Sequence, residues 1–297
     1  MTTAVIIPVR NRPTLVREAI ESLRAQTRPI DEVIVVDDAS TDDTPAVVEA
    51  IGREDARVRL IRLSQNQGAS HARNVGVAAT NADYVGFLDS DDAWMPQKHE
   101  LQLERLAQAP EAVACFTGIR YVLPGHVKDE PLPAKVAPDA LRRMNYLGST
   151  STALIRKSTF LQAGGFDEAL PSCQDWDLWL RLEAKGAFAL VRQPLVLYGH
   201  TDEARISRNS TNVLAGHQVV FERALRDVPA ARQRKLRAYH QARLAQIQLW
   251  EFGNPKAALG PALRSLTIRP TRFGFRLIFW ALKDMAGKPP RMAWAFG

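Results

Sequence analysis

Four short runs rich in Val, Ile and Leu, at residues 4–8, 32–36, 58–63 and 83–88, alternate with stretches whose apolar positions recur at helical spacing. Between the first two runs, residues 14–26 put Leu15, Ala19, Ile20 and Leu23 on one face, and Pro13 suits a first helical turn. Polar side chains at 40–44 then offer a helix start ahead of Val47, Val48 and Ile51. Continuous apolar strands joined by helices predict an α/β fold with a largely parallel sheet covered on both faces. Such sheets receive ligands beyond the carboxyl ends of their strands.

From about residue 213 the strand signals fade, and 216–225, 231–252 and 255–266 carry helical periodicity. A final element, Arg272–Met285, mixes Phe273, Phe275, Leu277, Ile278, Phe279, Trp280 and Leu282 with Arg276 and Lys283. It is too short and too interrupted to span a bilayer. Two readings stand for it: an interfacial helix, or a helix packed on the core or on a second subunit, a homodimer included. Residues 124–138, rich in Pro and charge, are expected to form a flexible loop able to fold over a site. The expected organisation is a catalytic domain over 1–212, with halves at about 1–110 and 111–212, followed by a basic helical region over 213–297.

Composition narrows this picture. A chain of 297 residues, 46% of them hydrophobic, can bury a sizeable core. The apolar run 4–9 is too short for a membrane span and is followed rather than preceded by Arg10 and Arg12, so the expected compartment is the cytoplasm. Cys115 and Cys173 lack both metal-ligand spacing and a disulfide framework, and are expected as reduced thiols. The net charge of +7 is uneven. Residues 217–297 hold 15 Lys/Arg against 4 Asp/Glu, a net +11, while 1–216 hold 24 against 28, a net −4. A membrane surface, a nucleic acid or a phosphorylated substrate would each answer such a tail, and so would a plain solvated helical surface.

The densest chemistry follows the fourth apolar run, where Phe87-Leu88 leads into Asp89-Ser90-Asp91-Asp92. Adjacent carboxylates repel and call for a counter-ion, and Mg²⁺ or Mn²⁺ binds through one or two carboxylates plus substrate phosphates. A capping turn is the competing account. Two other strand ends shift the balance: residues 32–36 run into Asp37-Asp38, and 4–8 into Val9-Arg10-Asn11, so polar groups converge on one sheet edge. Asp38 there can accept hydrogen bonds from a base or ribose. Residues 68–76 open a helix where backbone donors and Arg73 can face phosphate.

Taken together these motifs resemble the inverting family 2 glycosyltransferases of the GT-A fold. Val5-Ile6-Ile7-Pro8-Val9-Arg10-Asn11, Val35-Val36-Asp37-Asp38-Ala39-Ser40-Thr41-Asp42, the 68–76 segment and Asp89-Ser90-Asp91-Asp92 are similar to that family's nucleotide-binding half. Gly164-Gly165-Phe166-Asp167-Glu168 and Gln174-Asp175-Trp176-Asp177-Leu178-Trp179-Leu180-Arg181 are similar to its acceptor half. The resemblance implies a Rossmann-like mixed sheet flanked by helices. It also implies a nucleoside pocket lined by Pro8, Val9, Arg10 and Asp38, with Arg73 near the base or phosphate. Asp89 and Asp91 would form a DxD pair, the first towards the ribose or sugar and the second on the metal, with Mn²⁺ or Mg²⁺ as cofactor. The catalytic base falls on Asp175.

The chemistry accommodates those roles. Displacing a nucleoside diphosphate puts negative charge on the leaving oxygen, while one carboxylate suffices to take the proton of an attacking hydroxyl. Asp177 is either an acceptor contact or a complement to the helix N-terminus. Trp176 is expected to touch the acceptor, and Trp179 to pack. His200 lies where related enzymes carry a metal-facing His, here at altered spacing, and is a candidate ligand; His71 is read as structural. The expected partners are a nucleoside diphosphate sugar, with a UDP-linked donor in view, a glycan or lipid-linked acceptor, and the anionic inner face of a membrane. No nucleic acid is expected. Cell-envelope or exopolysaccharide synthesis is the expected setting. The alternatives are a nucleotidyltransferase, disfavoured because 8–13 contain no glycine, and a non-catalytic sugar-nucleotide-binding scaffold.

Overall fold

The first apolar run forms β1, Thr3–Val9, buried along its whole length, which only a central strand covered on both faces can be. In this computed structural model, which describes residues 1–123, 126–137, 139–199 and 209–287, β1 pairs in parallel with two strands. These are β2 (Glu32–Asp37) and β4 (Tyr84–Phe87), and β3 (Val58–Arg62) joins β2, also in parallel. Register places Val9 beside Asp37 and Ile6 beside Phe87, so these chain ends emerge on one edge. Beyond β4 the sheet becomes mixed. β8 (Ala153–Arg156) is antiparallel to β4, β6 (Ala114–Leu123) antiparallel to β8, β9 (Phe188–Tyr198) parallel to β6, and β5 (Asp92–Trp94) antiparallel to β9. The order is β3-β2-β1-β4-β8-β6-β9-β5.

Helices cover this sheet as their periodicity requires. α1 (Pro13–Arg24) buries Val16, Ala19, Ile20 and Leu23 against Val5, Ile7, Val33 and Val35. Val16, not Leu15, completes the inner face, a rotation of one position. Each of the Val, Ile and Leu side chains contributes roughly 1.5–3 kcal/mol on burial. α2 (Thr44–Glu54) adds Val48 and Ile51 to the same cluster. α3 (Ala69–Ala78) comes so near β1 that a Cβ on Gly76 would stand 2.5 Å from Ile6 Cγ2. α4 (Lys98–Ala107) seats Leu103 and Leu106 with Tyr84, Cys115 and Leu154, and the short α6 (Lys157–Gln162) follows β8 directly.

The segment read as a flexible loop contains a strand. β7 (His126–Glu130) pairs antiparallel with β6, and Arg120 grips Asp129 through two hydrogen bonds of 2.6 and 2.7 Å. Its exposed, charged sequence HVKDE suits a sheet edge and conceals the apolar alternation that marks strands. Cys115 and Cys173 are both free thiols.

Contacts divide the chain into two units. The first holds Met1–Pro138, Asn145–Leu170 and Gln174–Glu203; the second holds Asp139–Met144, Pro171–Cys173 and Ala204–Gly297. The second is helical: α5 (Ala140–Arg143), α8 (Ser210–Ala224), α9 (Ala230–Gln246), α10 (Pro255–Ile268) and α11 (Arg272–Met285). α9 runs on into a π-helical turn, Ile247–Glu251, and Ala242, Ala245, Leu249, Ala258, Ala262, Leu277 and Ala281 form the core of α9–α11. Small residues let these helices approach closely. Asn254 and Thr271 cap α10 and α11 by accepting from the amides of Ala257 and Gly274. Among the described residues no helix is long and apolar enough to cross a membrane.

Candidate active site

At the end of β1, Pro8 and Val9 are buried while Arg10 is exposed. The chain then turns through Asn11 at φ 53°, a left-handed conformation that Asn tolerates better than most residues. The Asn11 amide donates to Ser40 Oγ at 2.8 Å, and Asn11 Oδ1 accepts from the Thr41 amide at 2.8 Å. The loops after β1 and β2 are thereby fastened together. Asp37 is buried, accepts from the Ser40 amide and lies 3.7 Å from Arg62 Nε. Asp38, almost buried, accepts from the amides of Gln67 and Gly68, each at 2.8 Å. It thus holds the loop that leads into α3, and each oxygen keeps a second lone pair.

The acidic run after β4 divides into three environments. Asp89 Oδ1 accepts from Arg73 Nη2 at 2.5 Å and from Thr150 Oγ1 at 3.1 Å, while the Asp89 amide donates to Ser151 Oγ at 3.1 Å. Arg73 is 8% exposed, with its guanidinium carbon 5.3 Å from the Phe166 ring centre and its buried Nε without a hydrogen-bond partner. Asp91 Oδ2 lies 3.4 Å from Arg12 Nη1, which also donates to Ser90 Oγ at 3.3 Å. Asp92 is buried, accepting from Ser151 Oγ at 2.7 Å and from the Gly199 amide at 3.3 Å. Burial pushes its pKa well above the usual carboxylate range, and the charges of Asp89 and Asp91 add to the rise. Gly199 cannot be replaced without movement: a Cβ there would sit 1.9 Å from the Asp91 carbonyl oxygen.

Asp175 stands in the first turn of α7 (Gln174–Glu183). Its Oδ1 accepts from the Trp176 amide at 2.7 Å and its Oδ2 from Asn145 Nδ2 at 2.9 Å. Burial raises its pKa to about 6, against the Trp176 hydrogen bond and the positive charge of Arg73, and with the negative charge of Asp89. Arg73 and Asp89 therefore share an electrostatic neighbourhood with Asp175, although the three come from distant parts of the chain. A carboxyl of this kind is partly ionised near neutrality, as a proton acceptor requires.

The neighbours of Asp175 turn inward. Trp176 and Asp177 are each 2% exposed, and Asp177 is bound to Arg181 one helical turn on, at 2.8 Å. In this conformation neither side chain offers a surface to an acceptor, because an amphipathic helix start must bury one face and these two occupy it. Trp179 packs edge-on against Phe116, with ring centres 4.8 Å apart. His71 pairs with Glu168 at 3.0 Å. Asn74 accepts from the Phe166 amide and donates to its carbonyl, each at 2.9 Å, so α3 is tied to the Gly164-Gly165-Phe166 turn. His200 lies outside the described residues.

Asn145, Ser151, Thr150 and Arg12 were not singled out from sequence. For Thr150 and Ser151 the sequence offers a small hydroxyl-rich segment, Ser149-Thr150-Ser151-Thr152; Asn145 and Arg12 lie outside it. Among the described residues no three His, Cys, Asp or Glu side chains converge into a metal cage. One or two carboxylates completed by phosphate oxygens are, however, the ordinary mode for Mg²⁺ or Mn²⁺. Asp91 fits it, since its carboxylate already draws a cation, Arg12, while the neighbouring Asp89 is turned to Arg73.

Comparison with known proteins bears on the family and the fold. The family model described as "Glycosyl transferase family 2" matches residues 4–158. The succinoglycan biosynthesis protein ExoO of Rhizobium meliloti is 30% identical over 90% of this chain and 81% of its own length. Among solved structures, S. aureus TarS 1-349 in complex with UDP-GlcNAc superposes with a TM-score of 0.69 over 97% of this chain and 88% of that one, at 18% identity. A mannosyltransferase from Pyrobaculum calidifontis, solved with GDP-Man and Mn²⁺, gives 0.62 over 96% and 86%, also at 18% identity. The mixed sheet with flanking helices is the fold of these transferases.

Proposed function

The chain belongs to glycosyl transferase family 2, and on that premise we propose that it moves a sugar from a nucleoside diphosphate to an acceptor hydroxyl with inversion at the anomeric carbon. The observation that carries this reading is the electrostatic joining of Asp175 to Arg73 and Asp89, with the Asp175 carboxyl held at about 6. Pro8, Val9, Arg10 and Asp38 bound the nucleoside, and Arg73 and Asp89 meet its ribose and phosphates. Asp91 would hold the divalent cation, with His200 a further ligand on sequence grounds alone. Mn²⁺ or Mg²⁺ so held would supply positive charge against the departing diphosphate.

In this reaction the acceptor oxygen attacks the anomeric carbon from the face opposite the leaving group. Its proton passes to the Asp175 carboxylate as the new carbon–oxygen bond forms, the old glycosyl–oxygen bond breaks, and the nucleoside diphosphate departs with the electron pair. Asn145, bonded to one carboxylate oxygen, keeps the other directed. No enzyme-bound sugar is needed. The name of the R. meliloti relative and the UDP-GlcNAc bound by TarS support a UDP-linked donor and an exopolysaccharide or cell-envelope glycan as product. The Mn²⁺ in the mannosyltransferase supports metal use.

The test is a panel of nucleotide sugars with Mn²⁺ or Mg²⁺. It follows metal-dependent thermal stabilisation first, then nucleoside diphosphate release and the anomeric configuration of the product. Inverted product from one donor is the expected result. Donor binding without transfer to any acceptor would mark a scaffold, and pyrophosphate release from a nucleoside triphosphate and a sugar phosphate would mark a nucleotidyltransferase.

A further inference from the structure

α11 has three distinct sides. Gly274, Leu277 and Ala281 are buried in the core of the helical unit. Turned away from that core, Phe275 is 60% exposed, Phe279 61% and Leu282 52%. Their spacing of i, i+4 and i+7 makes a continuous apolar stripe along the outer surface. At about 100° per residue, Arg272, Arg276 and Lys283 fall together beside that stripe, and all three are exposed. Trp280, half-buried, lies under the Arg276 guanidinium at 4.6 Å. A helix facing only water would carry polar residues where the two phenylalanines and the leucine stand.

The pairing of an apolar stripe with a cationic one selects the partner. A second copy of the chain, docked through a two-fold axis, would bring the same three cations towards their own images. A nucleic acid would answer the cations and leave Leu282 in water. An anionic bilayer answers both: hydrocarbon for the stripe, lipid phosphates for the cations, within a segment 217–297 whose net charge is +11.

We propose that α11 is a membrane-contact helix, lying flat on an anionic bilayer with Phe275, Phe279 and Leu282 below the headgroups and Arg272, Arg276 and Lys283 among their phosphates. This stands independently of the transferase reading, and its test uses no activity. The full chain is floated with vesicles of phosphatidylcholine alone and of phosphatidylcholine with about one-third phosphatidylglycerol. Binding is expected to be at least about tenfold stronger to the anionic vesicles and to fall with added salt. The Phe275→Ser/Phe279→Ser/Leu282→Ser variant, whose altered side chains are exposed, is expected to keep its helical circular dichroism and lose more than about tenfold in vesicle binding. If that variant unfolds, Arg272→Gln/Arg276→Gln/Lys283→Gln serves instead, with loss of the preference for anionic vesicles expected. Wild-type protein that ignores anionic vesicles, or a folded variant that floats as well as wild type, would overturn the proposal. So would a wild-type dimer in solution, dissolved by the same substitutions, without vesicle binding.

Discussion

The guanidinium of Arg73 donates to Asp89 at 2.5 Å, and the two partners act on Asp175 in opposite senses, Arg73 favouring its ionised form and Asp89 opposing it. Replacing each in turn separates the effects. Arg73→Gln is expected to raise the pKa of the Asp175 carboxyl above its value of about 6, and Asp89→Asn to lower it. Carbon-13 NMR titration of labelled aspartate reads this without any turnover. Shifts of the same sign in both variants would contradict a shared site.

The raised pKa of Asp175 also makes a statement about stability. Because folding raises it from 3.8 to about 6, the stabilisation tied to the protonated form is complete below the unfolded value and lost as pH rises through the folded one. The Asp175→Asn variant carries no such loss. Its melting temperature relative to wild type is expected to climb between about pH 4 and pH 7, by the equivalent of at most about 3 kcal/mol. A difference that stays flat with pH, measured by calorimetry, would show that the carboxyl is not perturbed.

Asn145 holds Asp175 from outside the helix that carries it. Asn145→Ala is expected to lower kcat roughly tenfold with little change in donor affinity, and to move the acidic limb of the rate profile to higher pH. Asn145→Asp, which offers no amide donor at neutral pH, is not expected to rescue. Equal losses in kcat and donor affinity would instead point to a general loosening of the site.

Gly199 is where β9 meets the acidic turn. A methyl group there runs into the backbone of Asp91, which cannot swing aside as a flexible side chain would. Gly199→Ala is expected to destabilise the fold by about 1–3 kcal/mol. It should also weaken the thermal stabilisation that Mn²⁺ and a nucleotide sugar confer together. Unchanged melting with and without those ligands would refute the contact.

What the sequence disclosed and what it hid follow one physical division. Short apolar runs with polar ends are local patterns, so β1, β2, β3 and β4, and the emergence of Asp37, Asp38 and Asp89 on one edge, are legible in the sequence. The bounds of α11 were legible too, because its apolar positions lie close together along the chain. The supporting residues were not. Ser151 reaches Asp92 across 59 positions and Arg12 reaches Ser90 across 78, and no periodicity encodes such distances. Trp176 shows the same limit: an aromatic beside a carboxylate has the same spelling whether it faces a sugar or the core, and its burial is a property of the folded chain alone. β7 escaped notice because an edge strand is charged where a central one is apolar.

The most direct test of the central claim is the single-turnover transfer rate of Asp175→Asn against wild type, each preloaded with the donor identified in the nucleotide-sugar panel. The account predicts donor binding within about threefold of wild type and a transfer rate lower by about 10²- to 10⁴-fold, as expected when a general base is removed. A variant that transfers at the wild-type rate would show that the acceptor's proton goes elsewhere.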